Sequence, residues 1–163
     1  MEHKEFVLPL TLIGDIDITR LLREINAIDD FFVTAEARTP GGSTQPPRIT
    51  RLLNDVALAN KYNLLQENER QELAAQLEEL KKSAPSVHIS FASEPSPKAL
   101  EQVLRWLREN IHPLILLRVG LQPTIAAGCV LRTANKVFDM SLREHLSKQE
   151  PYLVELIRGA TNV

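Results

Sequence analysis

The sequence predicts an α+β protein, in which an N-terminal helical region is followed by a small mixed sheet covered by helices. In the first half, apolar residues recur every three or four positions, which is the period of an amphipathic helix. From Ser86 onward, apolar residues begin to alternate with polar ones, as they do in a half-buried strand. Ala84 and Pro85 separate the two patterns, because the residue before a proline leaves the helical region. We therefore expect a mainly helical part over residues 1–85 and a helix-and-strand part over residues 86–163.

The composition is that of an ordinary globular chain. Of its 163 residues, 44% are hydrophobic and 25% are charged, and a chain of this length can bury a substantial core. The formal net charge of −2 argues against a protein that binds mainly nucleic acid. The first residues lack the layout of a signal peptide, and no apolar run approaches the roughly 20 residues that span a bilayer, so direct membrane insertion is not expected. Cys129 is the single cysteine, which excludes an internal disulfide and favours a reducing compartment.

Two elements are predicted before the first loop. The apolar segment Phe6–Ile13 is predicted to be a strand at a sheet edge, because Pro9 cannot donate a hydrogen bond to a neighbouring strand. A helix follows, with Asp17 as its N-cap and its end between Val33 and Arg38. The apolar stripe of this helix consists of Ile18, Leu21, Leu22, Ile25, Ile28 and Phe32.

Two further helices are predicted in the first half. The segment Thr39–Pro47 is rich in glycine, proline and serine and is predicted to be a loop. A second helix is expected over Ile49–Tyr62, and a third over Glu67–Lys82. Their apolar faces consist of Leu52, Leu53, Val56 and Ala59 in the second helix, and of Leu73, Leu77 and Leu80 in the third.

The second half is predicted to alternate strands with helices. Val87–Ala92 has the pattern of a half-buried strand, and Pro97–Asn110 that of a helix capped by Ser96 or a nearby residue. Leu114–Val119 is nearly all apolar, which predicts a central strand, and Gly128–Thr133 predicts another.

The last predicted elements are a strand over Val137–Asp139 and a helix that starts after Asp139. Pro151 lies inside this helix and is expected to kink or split it. The apolar positions of the helix are Leu142, Leu146, Leu153, Leu156 and Ile157.

No catalytic motif or metal-ligand spacing is present in the sequence, so no cofactor or metal is expected. The four histidines are spread along the chain, and Cys129 lies in an apolar strand, where it is expected to be a small buried hydrophobe. Arg105, Trp106 and Arg108 could form a patch that faces a partner. The alternative is that the helix exposes its arginines and packs its tryptophan against the sheet.

Between the last two helices the order of residues is distinctive. A stretch Gln-Pro-Thr-Ile-Ala-Ala-Gly ends at Gly128, and it is followed by a strand, a turn and Asp-Met-Ser-Leu-Arg ending at Arg143. Pro123 is expected to fix a turn, and Gly128 to permit a close backbone approach or an unusual dihedral. Asp139 and Ser141 are expected to cap the last helix, and Arg143 to reach a carboxylate or carbonyl.

This order, over Val87–Leu146, resembles the C-terminal domain of the delta subunit of rotary ATP synthases, which in mitochondria is the oligomycin-sensitivity-conferring protein. The family has Asp-Pro-x-Leu-x-Gly-Gly before the strand and Asp-Gly-Ser at the final helix. The present chain differs at Gln122, Ala127 and Met140. The family normally begins with six helices, whereas three are predicted here before Ser86.

The resemblance implies a non-catalytic stator subunit. Such a subunit ties the catalytic head to the peripheral stalk while protons drive rotation. The resemblance implies that the N-terminal part binds the alpha subunit and that residues 86–163 bind the helices of the b subunit. It places the protein at the cytoplasmic face of the plasma membrane, as a peripheral part of the complex. The alternative is a stand-alone regulatory or adaptor module that binds a partner helix or peptide.

Overall fold

The computed structural model describes residues 6–38, 47–125, 127–133 and 135–142. The α+β class is confirmed, because these residues contain four helices and a four-stranded sheet. The helices are α1 (Asp15–Arg38), α2 (Arg51–Asn60), α3 (Glu67–Ser83) and α4 (Pro97–Asn110). The strands are β1 (Ser86–Phe91), β2 (Leu116–Leu121), β3 (Gly128–Arg132) and β4 (Val137–Ser141), and a 3₁₀ turn spans Pro123–Ile125.

The chain divides into two compact units, which we call the helical unit and the sheet unit. The helical unit contains the residues up to Pro85 together with Glu101–Leu116, so the chain leaves it and returns to it. The sheet unit contains Ser86–Leu100 and the described residues from Leu117 onward. Most of α4 therefore belongs to the helical unit.

The core of the helical unit is built mainly from α1, α2 and α3. The stripe predicted for α1 is confirmed, since four of its six residues are buried and Leu22 and Phe32 are half-buried. Leu53, Val56 and the three leucines predicted for α3 are buried with it, whereas Ala59 is exposed and Ala57 takes its place. The fully buried side chains of this cluster are Leu12, Ile18, Leu21, Ile25, Leu53, Val56, Leu73 and Leu77. Each contributes about 1.5–3 kcal/mol by leaving water.

The start of α1 differs from the prediction. The helix begins at Asp15, two residues before the expected N-cap. The Asp17 carboxylate instead reaches back, where its Oδ2 accepts hydrogen bonds from the backbone N–H groups of Ile13 (2.9 Å) and Gly14 (3.1 Å). Asp17 thus fixes the chain that enters the helix, and its negative charge lies in the first turn, where the helix dipole favours it.

The prediction of a strand over Phe6–Ile13 is wrong. This segment has no strand, and it turns at Pro9, whose carbonyl accepts from the Leu12 N–H at 3.1 Å. Its backbone pairs with a side chain instead. The Asn60 carboxamide accepts from the Val7 N–H (2.8 Å) and donates to the Val7 carbonyl (2.9 Å), as a neighbouring strand would do. A single buried amide thus satisfies both backbone groups of Val7 without a sheet.

Both ends of α2 are set by local chemistry. Thr50 is the N-cap, and its hydroxyl accepts from the Leu53 N–H at 3.3 Å. The Thr50 hydroxyl in turn donates to the Glu24 carboxylate of α1 at 2.7 Å. Lys61 ends the helix in the left-handed region with φ of 60°, and its N–H closes the last turn. The helix α3 ends before Ala84 as predicted.

The strands lie in the order β2-β1-β3-β4. The pairs β1–β3 and β3–β4 are antiparallel. Two hydrogen bonds join β1 and β2 at their ends, from Leu116 N–H to the Pro85 carbonyl (3.0 Å) and from Gln122 N–H to the Phe91 carbonyl (2.8 Å). Both bonds join residues with the same separation in sequence, so β1 and β2 are parallel and the sheet is mixed.

The strand predicted to be central lies at an edge. The strand β2 is the first in the sheet order, and Val119 and Leu121 are 40% and 60% exposed. The apolar run has another cause, because Leu114 and Leu116 contribute to the core of the helical unit. Hydrophobicity alone could not distinguish burial in a sheet centre from burial at the start of an edge strand.

The last described segment also corrects the prediction. The strand β4 continues to Ser141, two residues beyond the expected end, and the first helical residue is Leu142. The rest of the predicted last helix, including Arg143, lies outside the described residues. Most of the predicted loop, residues 39–46, also lies outside them.

Candidate functional site

The four family-motif positions that the structure describes, Pro123, Gly128, Asp139 and Ser141, all lie in the sheet unit. Pro123 begins the 3₁₀ turn between β2 and β3, as the expectation of a fixed turn requires. Gly128 is the first residue of β3, and Asp139 and Ser141 lie in β4. Gly128 pairs directly with Ser141, so the structure brings three of these positions to one end of the hairpin of β3 and β4.

Gly128 meets both of the expectations for it. Its φ is +93°, a conformation that side chains other than glycine rarely adopt. A Cβ atom placed on Gly128 would lie 2.5 Å from the Met140 carbonyl oxygen and 2.9 Å from the Ser141 Cα. The absence of a side chain at Gly128 therefore allows the backbones of β3 and β4 to approach each other closely at this position.

Asp139 and Ser141 interact with each other within β4, and the helix that they were expected to cap lies outside the described residues beyond Leu142. Asp139 Oδ1 accepts from the Ser141 N–H at 2.9 Å. In the ladder of β3 and β4, the Leu142 N–H donates to the Ala127 carbonyl, so alternate residues from Leu142 backwards face β3. The Ser141 N–H therefore points to the open edge of the sheet, where Asp139 satisfies it. Ser141 directly precedes the first helical residue, and its buried Oγ has no hydrogen-bond partner in the described part of the chain.

One face of the sheet, which we call the apolar face, is buried in its middle and exposed at its margins. Ile89 of β1 and Leu131 of β3 pair directly and are 1% and 7% exposed. Phe138, the partner of Leu131 in β4, is 48% exposed, and Met140 on the same face is 55% exposed. On the other edge strand, Val119 and Leu121 also point to this face, because they alternate with Gly120.

Exposed apolar side chains on both edge strands indicate an interaction surface. The sequence prediction missed this surface. In the sequence, this surface was indicated by the alternation of apolar with polar residues at Phe138, Met140 and Leu142. The alternation continues beyond the end of the last predicted strand, and it is typical of a strand with an exposed face.

Helix α4 presents Trp106 to solvent. Trp106 is 57% exposed, so of the two alternatives for this helix, the one in which the tryptophan is buried by packing is wrong. Arg105, beside it, pairs with Glu101 at 2.9 Å in an exposed ion pair. An exposed tryptophan flanked by a charged pair is typical of interface residues.

Arg108 has a structural position instead of a partner-facing one. Its guanidinium donates to the carbonyls of Leu8 (3.2 Å), Pro9 (2.9 Å), Leu12 (2.6 Å) and Ile115 (3.3 Å). Burial lowers the pKa of Arg108 to about 10, which is far above neutral, so the group stays charged at pH 7. Arg108 thereby holds the Phe6–Ile13 segment against α4.

The helical unit contains an apolar groove of about 280 Å³. Side chains from α1, α2 and the connection between α2 and α3 line it, and Leu58 and Leu65 at its rim are 69% and 63% exposed. Its lining includes Ile28, Phe32, Ile49, Leu58, Leu64 and Leu65. Its shape and apolar lining suit a short apolar segment of a partner.

The described residues show no group of three or more histidine, cysteine, aspartate or glutamate side chains that could hold a metal ion. Cys129 is half-buried, and burial together with the nearby Asp139 charge raises the pKa of its thiol. His88 lies on β1 with its Nε2 3.1 Å from the Ser90 Oγ.

Among the described residues, none of the helices has both the length and the apolar character required to cross a membrane. Comparison with known proteins identifies no relative, since no protein-family model and no curated protein matches the chain significantly. The resemblance to the delta subunit therefore stays a prediction from the residues themselves.

Proposed function

We propose that this protein is a non-catalytic stator subunit of a rotary ATP synthase, which links the catalytic head to the peripheral stalk. In this role it makes and breaks no bond. It resists the torque that proton-driven rotation applies to the head, and it acts at the cytoplasmic face of the plasma membrane as a peripheral part of the complex.

The observation that carries the proposal is the local structure from Pro123 to Leu142. A turn begins at the proline, and a strand begins at Gly128 with a positive φ. A hairpin follows, and helical structure starts directly after Ser141. The delta-subunit motif likewise has a proline and a glycine before a strand, then a turn and the start of the final helix, although Gln122, Ala127 and Met140 depart from its residues.

Two surfaces support the proposed partners. The exposed margins of the apolar face, at Phe138 and Met140, offer the kind of contact that an amphipathic stalk helix of the b subunit makes. The groove between α1 and α2 offers the helical unit a place for an apolar segment of the alpha subunit. With three helices before Ser86 in place of six, this groove is the contact that we assign to the head.

The first experiment is purification of the native complex through this chain from gently solubilised membranes. We expect the alpha, beta and b subunits to co-purify in comparable amounts. Recovery of none of them would refute the stator function, and a different helix or peptide partner in their place would establish the adaptor alternative.

A second experiment locates the stalk contact. Deletion of residues 86–163 is too coarse, because Glu101–Leu116 belongs to the helical unit and would be lost with it. The double variant Phe138→Glu with Met140→Glu places charge on the margin of the apolar face. We expect it to lose the b subunit about tenfold while it retains the alpha subunit. The control is Ile16→Glu, which changes an apolar side chain that is 68% exposed on α1. Equal loss of the b subunit in both variants would contradict the assignment.

A further inference from the structure

The two edge strands of the sheet differ in how their open edges are protected. On β4, the Asp139 carboxylate accepts from the Ser141 N–H at that edge, so a charged side chain lies against the backbone there. A charge in this position opposes the addition of another strand. On β2, the second half of the strand is apolar and accessible, since Val119 and Leu121 are exposed and Gly120 lies between them. The edge of β2 is therefore the better candidate for strand pairing.

Four backbone groups point out of β2 at this edge. The Leu116 N–H and the Gln122 N–H donate to β1, so alternate residues counted from them face β1 with both backbone groups. The N–H and carbonyl groups of Val119 and Leu121 therefore point away from the sheet. Within the described residues, no hydrogen bond satisfies these four groups. Such a row of backbone groups is a template for another strand.

We propose that β2 pairs antiparallel with β2 of a second copy of this chain, around a two-fold axis at Gly120. In this register, Val119 of each copy lies opposite Leu121 of the other. Each of these two residue pairs exchanges two N–H to carbonyl hydrogen bonds, as directly opposed residues do at hydrogen-bonded positions of an antiparallel ladder. The pairing therefore uses all four of the open groups in each copy.

Particular residues disfavour the neighbouring registers. An axis at Leu121 would place Val119 opposite Pro123, which has no N–H to donate. An axis at Val119 would place Leu121 opposite Leu117, which is 2% exposed and is thus covered by its own chain. The axis at Gly120 avoids both conflicts.

The side chains are self-complementary in the same register, which favours a second copy over an unrelated strand. Val119 and Leu121 point to the apolar face, so the pairing brings together two apolar pairs across the axis. On the other face, Arg118 lies opposite the uncharged Gln122 of the second copy, so like charges do not oppose each other. The net charge of −2 per chain adds only weak repulsion between the copies.

The symmetry of the pairing determines what it leaves accessible. The two-fold axis of an antiparallel strand pair is perpendicular to the sheet, so the two four-stranded sheets become continuous with their apolar faces on the same side. The strand β4 lies at the opposite end of the sheet order from β2, so Phe138 and Met140 are not used. The inference goes beyond the proposed function and does not rest on it.

The first experiment traps the register with a disulfide. The full chain with Cys129→Ser carries Arg118→Cys and Gln122→Cys, which oppose each other across the axis at a non-hydrogen-bonded position, with Cα atoms about 4.5 Å apart. Within one chain the same positions are about 13 Å apart along the strand, which is too far for a disulfide. Oxidation by glutathione disulfide should therefore produce a covalent dimer on a non-reducing gel. The controls, Arg118→Cys alone and Gln122→Cys alone, should lose that dimer band.

The second experiment measures association without a cross-link, by sedimentation equilibrium of the unaltered chain. The interface is small, so we expect a dissociation constant on the order of 10–100 μM. Val119→Lys with Leu121→Lys should weaken the dimer about tenfold or more, because lysine on an edge strand opposes pairing. The matched control is Ile16→Lys with Val33→Lys, which adds the same charge at exposed side chains of α1 and should dimerise as the unaltered chain does. Circular dichroism checks folding, and Leu121→Lys alone serves if the double variant unfolds.

Three results would overturn the inference. The first is an unaltered chain that stays monomeric up to about 1 mM. The second is a double-cysteine variant that cross-links no more than its single-cysteine controls. The third is equal dimerisation by the lysine variant and its matched control, because the dimer would then use another surface. Failure of the proposed function is a separate result, since purification that recovers no ATP synthase subunit leaves the dimer measurement unaffected.

Discussion

The role of Arg108 can be tested by replacing it with methionine, which keeps the apolar length of the side chain and removes the guanidinium. Four hydrogen bonds to backbone carbonyls would be lost. The shortest, at 2.6 Å, goes to the carbonyl of Leu12, a residue that is fully buried. Leaving that acceptor without a donor costs about 1–3 kcal/mol. The carbonyls of Leu8 and Pro9 belong to half-buried residues and can be rehydrated, and the Ile115 carbonyl accepts the longest and weakest of the four bonds, so the loss of these three together adds about 1 kcal/mol.

We therefore expect Arg108→Met to lower the free energy of unfolding by about 2–4 kcal/mol, measured by urea denaturation. The matched control is Arg105→Met, one turn earlier on the same helix. Its exposed ion pair with Glu101 is worth less than about 1 kcal/mol. Arg108→Lys should fall between the two, because one ammonium group cannot reach four separate carbonyls.

Hydrogen exchange gives a second readout of the same variant. The Leu12 N–H, which donates to the Pro9 carbonyl, should exchange faster in Arg108→Met when the Phe6–Ile13 segment is released. If Arg108→Met costs no more than Arg105→Met and leaves this amide protected, the argument that Arg108 holds the segment is refuted.

Three further predictions concern other positions. Gly128→Ala should lower the midpoint of thermal unfolding by several degrees. The cause is strain of about 2 kcal/mol or more, because the site has φ of +93° and no room for a Cβ atom. An unchanged midpoint would contradict this geometry. Asn60→Ala should lower the free energy of unfolding, measured by urea denaturation, by about 2 kcal/mol, because it removes three hydrogen bonds, two of them to Val7. A decrease below about 0.5 kcal/mol would show that water replaces the amide. The pKa of Cys129 is raised in the folded chain, so its contribution to stability is complete below the unfolded pKa of about 9 and is lost as the pH rises further. Cys129→Ser should make stability less sensitive to pH between 8 and 10, and an identical pH profile would refute the assignment.

Much of the fold followed from local patterns. The bounds of α4 and the end of α3 were predicted because proline, serine and the apolar period act within a few residues of each other. The need for glycine at position 128 was likewise predicted from its place before a strand, and the structure confirms both the unusual dihedral and the close approach.

The predictions that proved wrong concern segments that interact with residues far away in the sequence. Phe6–Ile13 has the composition of a strand, yet Asn60, 53 residues away in sequence, bonds the backbone of Val7, and Arg108 bonds the carbonyls of Leu8, Pro9 and Leu12. Leu114–Val119 has the composition of a central strand, yet its apolar start contributes to the core of the helical unit. In both cases the apolar pattern is present in the segment, but the distant residues that it packs against or bonds to cannot be identified from the local sequence.

By itself, the sequence determined most of the segments of this protein that become helices and strands, with Phe6–Ile13 as an exception, because periodicity, caps and prolines act over a few residues. Only the tertiary structure decided which residues from separate segments lie side by side. Strand pairing brings His88 beside Arg132 and leaves Phe138 and Met140 exposed at an edge. These arrangements depend on register between strands, which is fixed by packing and long-range hydrogen bonds rather than by local preference.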